Sequence, residues 1–251
     1  MAFARVLNTR VQVSIILNYY AKESTLFQCL DRLLNQTLVM CGQDQVEVIL
    51  VDDGTEGETI RDRLPDSVIY LWQRKNRYGI ARAKNTGAKV ANGRYLVFLD
   101  PDILVSETYV DAVLRGFERF GDRVVQTGYI WDYHFVGCPD PRTEFGVWNM
   151  VDGVSGRFFQ LAGGNTAISR RLFFETAGFD EDLIFGGVED LVFGYHISKL
   201  PATAVYFNRD MMSWHIPHPP SLAHAEPKRS WQVVKEKDPE FYHAYIVKGL
   251  R

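Results

Sequence analysis

The sequence predicts an α/β fold, with a mixed and mainly parallel central sheet flanked by helices, and three observations carry that prediction. Through the first two-thirds of the chain short apolar runs alternate with amphipathic ones, the pattern of strands joined by crossover helices. The chain has 251 residues, 46% of them hydrophobic and 24% charged, enough to bury one large core. No internal repeat and no long linker divides it, so it reads as a single domain.

Residues 11–17 form the first predicted strand, and 23–36 a helix with Leu26, Leu30, Leu33 and Leu34 on one face. Residues 46–51 are a β-branched strand ending at Asp52-Asp53-Gly54. A weaker helix is expected over 55–63, a strand over 68–72, a helix over 79–91, and a strand over 95–99 that ends in Asp100-Pro101-Asp102. Ser106 is expected to cap a helix running to Phe120, followed by a strand over 124–127. Residues 129–157, aromatic and rich in Gly and Pro, read as elaborated loop. Order returns with 158–161, a helix over 169–177, a helix from Glu189 to about Leu200, and a strand near 204–207. After a His- and Pro-rich stretch, two short helical patterns close the chain, the second opened by Asp238-Pro239-Glu240 as cap, first-turn proline and favourably placed acid.

Composition excludes several classes of function. The formal charge is −3 and the basic residues are scattered, so nothing supplies the positive stripe that nucleic-acid binding needs. Cys29, Cys41 and Cys138 are odd in number and lack paired metal spacing, which suits a reducing compartment, and a cytoplasmic location is expected. The first residues lack the apolar core of a signal peptide. No apolar run approaches the roughly 20 residues that span a bilayer.

In an open parallel sheet, ligands gather at the carboxyl ends of the strands, where loops diverge and helix N-termini face the crevice. Asp52 and Asp53 end one predicted strand, and Asp100 and Asp102 another. Carboxylates collected there suit Mg2+ or Mn2+, whose remaining ligands could be diphosphate oxygens. On its own the Asp-Pro-Asp tripeptide reads more readily as a cap, a turn residue and a solvated acid.

Further motifs set it in context. They are Val13-Ser14-Ile15-Ile16-Leu17-Asn18-Tyr19-Tyr20 with Leu33-Leu34-Asn35-Gln36-Thr37, and Val51-Asp52-Asp53-Gly54-Thr55. Gly79-Ile80-Ala81-Arg82-Ala83-Lys84-Asn85-Thr86-Gly87 and the run from Gly93 to Asp102 follow. Later come Gly163-Gly164-Asn165-Thr166-Ala167-Ile168-Ser169-Arg170, Gly178-Phe179-Asp180-Glu181 and Gly186-Gly187-Val188-Glu189-Asp190. In this order the segments resemble the family 2 glycosyltransferases and their GT-A relatives, from about residue 11 to 215. The glycine-rich acidic segment is similar to those of galactosyl-, N-acetylgalactosaminyl- and chondroitin-polymerase-like domains.

The resemblance implies a GT-A fold with a nucleotide-sugar-binding half over about 11–127, an acceptor and catalytic half over about 128–215, and a tail over 216–251. A Pro-rich hinge at 217–220 would let that tail act as a lid. The implied activity is transfer of a sugar, with inversion, from a nucleotide-sugar, a UDP-sugar foremost, to an acceptor hydroxyl. Asp53 then reads the uracil N3–H by a charge-assisted hydrogen bond. Asp102 is the principal ligand of Mn2+ or Mg2+, Asp100 contacts the ribose or the ion's water shell, and Leu17 and Tyr19 lie beside the nucleoside. Arg82 and Lys84 approach the nucleotide from their helix. Lys84 stands where the family usually carries Arg, and an ammonium is only a point charge; a solvated helix face is the other reading of both residues. Asp190 becomes the general base, with Glu189 holding a donor or acceptor hydroxyl. Relatives with Gly-Gly-Glu-Asp have no residue matching Val188, which leaves the register of the two acids open by one position. His215 matches a histidine metal ligand, with His218 the alternative.

Acceptor recognition is carried by Gly186 and Gly187, where a sugar could approach the backbone, and by Trp131 among the aromatics Tyr129, Tyr133, Phe135 and Trp148. Packing of an irregular loop explains those aromatics equally well. A saccharide, a peptide or a small metabolite would serve as acceptor. A dehydrogenase or a sugar nucleotidyltransferase would need a glycine-rich first loop, where Leu17-Asn18-Tyr19-Tyr20 stands instead. A catalytically silent nucleotide-sugar or glycan binder would have no use for Glu189-Asp190.

Overall fold

The computed structural model describes residues 11–21, 23–38, 40–55, 60–74, 79–132, 153–155, 161, 163–184, 188–217 and 227–247. Its strands are β1 (Val13–Tyr19), β2 (Val46–Asp52), β3 (Val68–Trp72), β4 (Tyr95–Leu99), β5 (Ile103–Val105), β6 (Val124–Asp132), β7 (Gly153–Ser155), β8 (Asn165–Ser169) and β9 (Ala204–His215). The helices are α1 (Glu23–Leu34), α2 (Ile80–Val90), α3 (Tyr109–Phe120), α4 (Arg170–Glu175), α5 (Glu189–Ser198), α6 (Pro227–Lys237) and α7 (Pro239–Tyr242).

One sheet runs in the order β3-β2-β1-β4-β8-β6-β9-β5, with β7 on β9. The first four strands are parallel. The sheet then reverses twice, because β8 is antiparallel to both β4 and β6. β6 and β9 are parallel, and the short β5 pairs antiparallel with the end of β9. The result brings the carboxyl ends of β1, β2, β4, β6 and β9, together with the start of β8, to one edge.

Alternate residues of each central strand serve opposite faces. Val13, Ile15, Leu17, Val48, Leu50, Val97 and Leu99 pack with Leu26, Leu30 and Leu33 of α1 and Val110, Val113 and Phe117 of α3. Ile16, Ile49, Val51, Leu96 and Phe98 pack on the other side with α2, α4 and α5 through Ala81, Leu172, Phe173, Phe193 and Ile197. Burial on both faces explains why these strands read as continuous apolar runs.

β3 and β4 match their predicted bounds, and β1 and β2 run on to Tyr19 and Asp52. In place of a helix over 55–63, the described part holds only a one-turn 3-10 helix at Arg61–Arg63. α3 begins at Tyr109 after Thr108, so Ser106 is no cap; it lies in the turn between β5 and α3, and its N–H donates to Met212 O. Ser169 does cap α4, its hydroxyl accepting from Leu172 N. β9 is far longer than the predicted strand. It runs through Asn208, Arg209 and Asp210, because the Asn208 amide is buried and bonds Ala112 O and Gln126 Oε1.

The tail is docked on α5. Val234 and Phe241 enter a cluster with Leu183, Val188 and Val192, and Lys237 Nζ reaches Asp180 at 2.8 Å and Asp182 at 2.7 Å. Asp238 accepts from Phe241 N in the predicted cap and lies 2.8 Å from His196 of α5. The hinge at 218–220 lies outside the described residues. Phe241 is 1% exposed, so Phe241→Ala is expected to cost about 3–5 kcal/mol, checked by urea unfolding.

Candidate active site

The end of β2 supplies the first pair of acids. Asp52 is structural: its carboxylate accepts from Thr55 N at 2.8 Å and from the Tyr70 hydroxyl at 2.8 Å. Asp53, one residue further, is buried and accepts from Gly79 N at 2.9 Å, where α2 begins, and from the Gln73 amide. Gln73 is itself held by the Thr86 hydroxyl, so α2 and the end of β3 orient Asp53 together.

Tyr19 and Leu17 lie within β1 and not in a loop after it. Leu17 has no exposed surface; it stands between Leu50 and Leu99 in the core, which corrects the expectation that it lies beside a nucleoside. Tyr19 is also buried, and burial with the nearby Asp52 pushes its hydroxyl up to about 12. Its carbonyl accepts from Asp53 N, which ties the end of β1 to that acid.

Asp100 and Asp102 flank the turn between β4 and β5. The β5–β9 pairing sets Ile103 opposite His215, Ile216 N donates to Asp102 O at 2.8 Å, and His215 Nε2 comes to 4.0 Å from Asp102 Oδ2. Metal–oxygen bonds of about 2.1 Å let one ion span such a gap. Among the described residues no group of three or more His, Cys, Asp or Glu side chains forms a cation cage. A carboxylate and an imidazole leaving the other positions to phosphate and water nevertheless fit Mn2+ or Mg2+ in a nucleotide site. His218 lies outside the described residues.

Glu189 and Asp190 open α5, with Val188 as the residue before the helix. Glu189 is 3% exposed and accepts from Val188 N. Asp190 is pressed against the Gly163-Gly164 turn that leads into β8. A Cβ built on Gly163 would fall 1.8 Å from Asp190 Oδ2, and one on Gly164 would fall 2.6 Å from Asp100 Oδ2. Two glycines thus let the acids of β4 and α5 approach across one turn. Burial first, then Glu189, raises Asp190 to about 7, while Lys84 pulls against them.

Lys84 is not on a solvated helix face. It is buried, with its Nζ 2.9 Å from Asp190 Oδ1, 3.3 Å from Glu189 Oε1 and 4.9 Å from the centre of the Phe179 ring. Burial opposes its charge, but Asp190, Glu189 and Asp100 outweigh that and hold it above the ordinary lysine range. Arg82 is half-buried, with Nη1 donating to Arg74 O. Trp131 stands at the same edge, opposite Trp214. Gly186 and Gly187 lie outside the described residues.

Sequence reasoning missed Gln73, which carries no signal beyond its place after β3, and gave Asn85 and Gly163 no role although both lie in matched motifs. Asn85 grips the segment after Gly178 in both directions, donating to Phe179 O and Glu181 and accepting from Phe179 N. Gly163→Ala is expected to displace the Asp190 carboxylate and lower turnover about 10²-fold with little change in folding stability, compared by steady-state rates and thermal melts.

The fold is that of the GT-A glycosyltransferases. S. aureus TarS residues 1–349 in complex with UDP-GlcNAc superpose with a TM-score of 0.69 at 16% identity, over 90% of this chain and 65% of that one. GalNAc-T7 with UDP, GalNAc and Mn2+ gives 0.67 at 18% identity, over 94% and 50%. The glycosyl transferase family 2 model matches residues 14–174, and the chain belongs to that family.

Among curated relatives, the minor teichoic acid biosynthesis protein GgaB of Bacillus subtilis (strain 168) is 32% identical over 117 residues, 44% of this chain and 12% of that protein. The validoxylamine A glucosyltransferase of Streptomyces hygroscopicus subsp. jinggangensis (strain 5008) is 26% identical over 255 aligned residues, 84% of this chain and 56% of its own length. The inactive polypeptide N-acetylgalactosaminyltransferase-like protein 5 of Mus musculus is 27% identical over 80% of this chain and 54% of that protein. The chain therefore spans about half, or less, of these relatives. Among the described residues no helix is long and apolar enough to cross a membrane.

Proposed function

We propose that the chain transfers a sugar from a UDP-sugar to an acceptor hydroxyl with inversion at the anomeric carbon. The observation that carries this is the convergence at one sheet edge of Asp53, the Asp102–His215 pair and Asp190. The family membership supports transfer, and the UDP and UDP-GlcNAc complexes of the structural neighbours support the donor class.

Asp53, with Gln73 and Gly79 N fixing its rotamer, offers an anionic acceptor for the uracil N3–H. Asp102 and His215 are the residues that would hold Mn2+ or Mg2+, which when bound offsets diphosphate charge. Asp100, beside Gly164, would contact the ribose or the water around the ion. Asp190 takes the proton from the acceptor O–H as that oxygen bonds to the anomeric carbon. The anomeric C–O bond breaks, and its electron pair leaves on the β-phosphate of UDP. Glu189, next to the base, orients a sugar hydroxyl, and Trp131 borders the acceptor. The acceptor is a saccharide, a peptide or a small metabolite.

Titration calorimetry with UDP, CDP, GDP and ADP, with and without Mn2+, tests the donor reading. Binding selective for UDP and dependent on metal is expected; equal affinity for all four, or for UDP with and without metal, would contradict it.

A further inference from the structure

Lys84 has a place in the site that nucleotide binding does not explain. It projects from α2 into the interior and ends among the Asp190 carboxylate, the Glu189 carboxylate and the Phe179 ring. With 1% of its surface exposed, an ammonium there needs full pairing, and those two acids supply it.

We propose that Lys84 is a positioning residue for the base: its ammonium bridges Glu189 and Asp190 and holds the Asp190 carboxylate toward the acceptor, and it makes no contact with the donor. This rests on Asp190 being the base.

The geometry requires such a group. Adjacent acids on a helix project about 100° apart, and two buried carboxylates with no cation between them repel. Lysine carries three hydrogens in tetrahedral array, so one nitrogen serves two separate carboxylates. The planar fork of arginine favours a two-point grip on one partner instead. Phe179 closes the third side of the ammonium, and its backbone is gripped at both ends by Asn85, the next residue of α2. The same helix therefore supplies the cation and fixes the ring that covers it.

Among the described residues, the charged groups facing Asp190 are Glu189 on its own helix, Asp100 at the end of β4 and Lys84 from α2. Both acids favour a protonated Asp190, and Lys84 opposes them. Removing the ammonium should therefore move the base out of its working ionisation state as well as out of place.

The test uses the full chain as wild type, Lys84→Met, Lys84→Arg, Lys84→Met/Glu189→Gln and Asp190→Asn. Three quantities are read: UDP affinity with Mn2+, the pH profile of UDP release from UDP-sugars, and titration of the Asp190 carboxyl by carbon-13 NMR, assigned through Asp190→Asn. Lys84→Met should bind UDP within about twofold of wild type, lose about 10²-fold in turnover at pH 7, and titrate at higher pH. Lys84→Arg should keep the wild-type titration and lose rate. The double variant removes one acid with the cation, so it should titrate closer to wild type and guards against failure of the single variant to fold. A tenfold loss of UDP affinity in Lys84→Met with the Asp190 titration unmoved would make Lys84 a donor ligand and overturn the proposal. Full turnover by Asp190→Asn would instead remove the base assignment, whatever Lys84 does to the titration.

Discussion

Asp190→Asn is expected to lower turnover by about 10²–10⁴-fold while UDP binds with unchanged affinity in the presence of Mn2+. The amide keeps the size of the carboxylate and one acceptor oxygen for Lys84, but it cannot take the acceptor proton. Its contact with the Gly163 turn leaves little room for another group to replace it. In the wild type the base must be ionised to act. Its carboxyl is raised above the ordinary Asp range by burial and by Glu189, so activity should fall as pH drops below about 7, well above the usual carboxylate range. The variant's residual rate should lack that acidic limb. The check is a pH–rate profile of both proteins; a preserved limb in Asp190→Asn would assign it to another group.

Asp102→Ala should have the second large effect, on binding. Asp102 is 3% exposed and faces His215 across a gap of 4.0 Å. Alanine leaves the imidazole as the sole protein ligand of that pair, so Mn2+ should no longer strengthen UDP binding, a loss on the order of 10²-fold. The residual, metal-independent binding through Asp53 should persist. Calorimetry with and without Mn2+ separates the two contributions, and a metal effect retained in the variant would move the ion elsewhere.

Much of this arrangement was legible in the sequence because parallel strands write their burial plainly. β1, β2 and β4 are apolar on both faces, and their ends are marked by Asp52-Asp53 and Asp100-Pro101-Asp102. The antiparallel part was not. β8 carries Asn165, Thr166 and Ser169, all buried, and Asn165 is satisfied by Tyr109 of α3 and by Met211 and Ser213 of β9. Such pairing is set by residues distant in sequence, so local polarity gives no sign of the central strand that stands at Asn165–Ser169. The part of β9 from Asn208 onward hid for the same reason.

The site shows the same division. Asp53, Asp102, His215 and Asp190, the residues of the proposed site, stand out in the sequence by type and place. Leu17 did not belong with them, because the first strand runs two residues further and carries that side chain into the core. The partnership of Lys84 with two acids more than 100 positions away follows from how α2 and α5 pack on one face of the sheet. Nothing in either segment alone announces it.

The most direct test of the whole account is a panel of UDP-sugars with Mn2+, offered with saccharide and peptide acceptors and followed by UDP release and by proton NMR of the product. UDP is expected to form in step with a glycosylated product whose anomeric configuration is opposite to the donor's. Tight UDP-sugar binding with no release from any donor, or a product that keeps the donor's configuration, would contradict it.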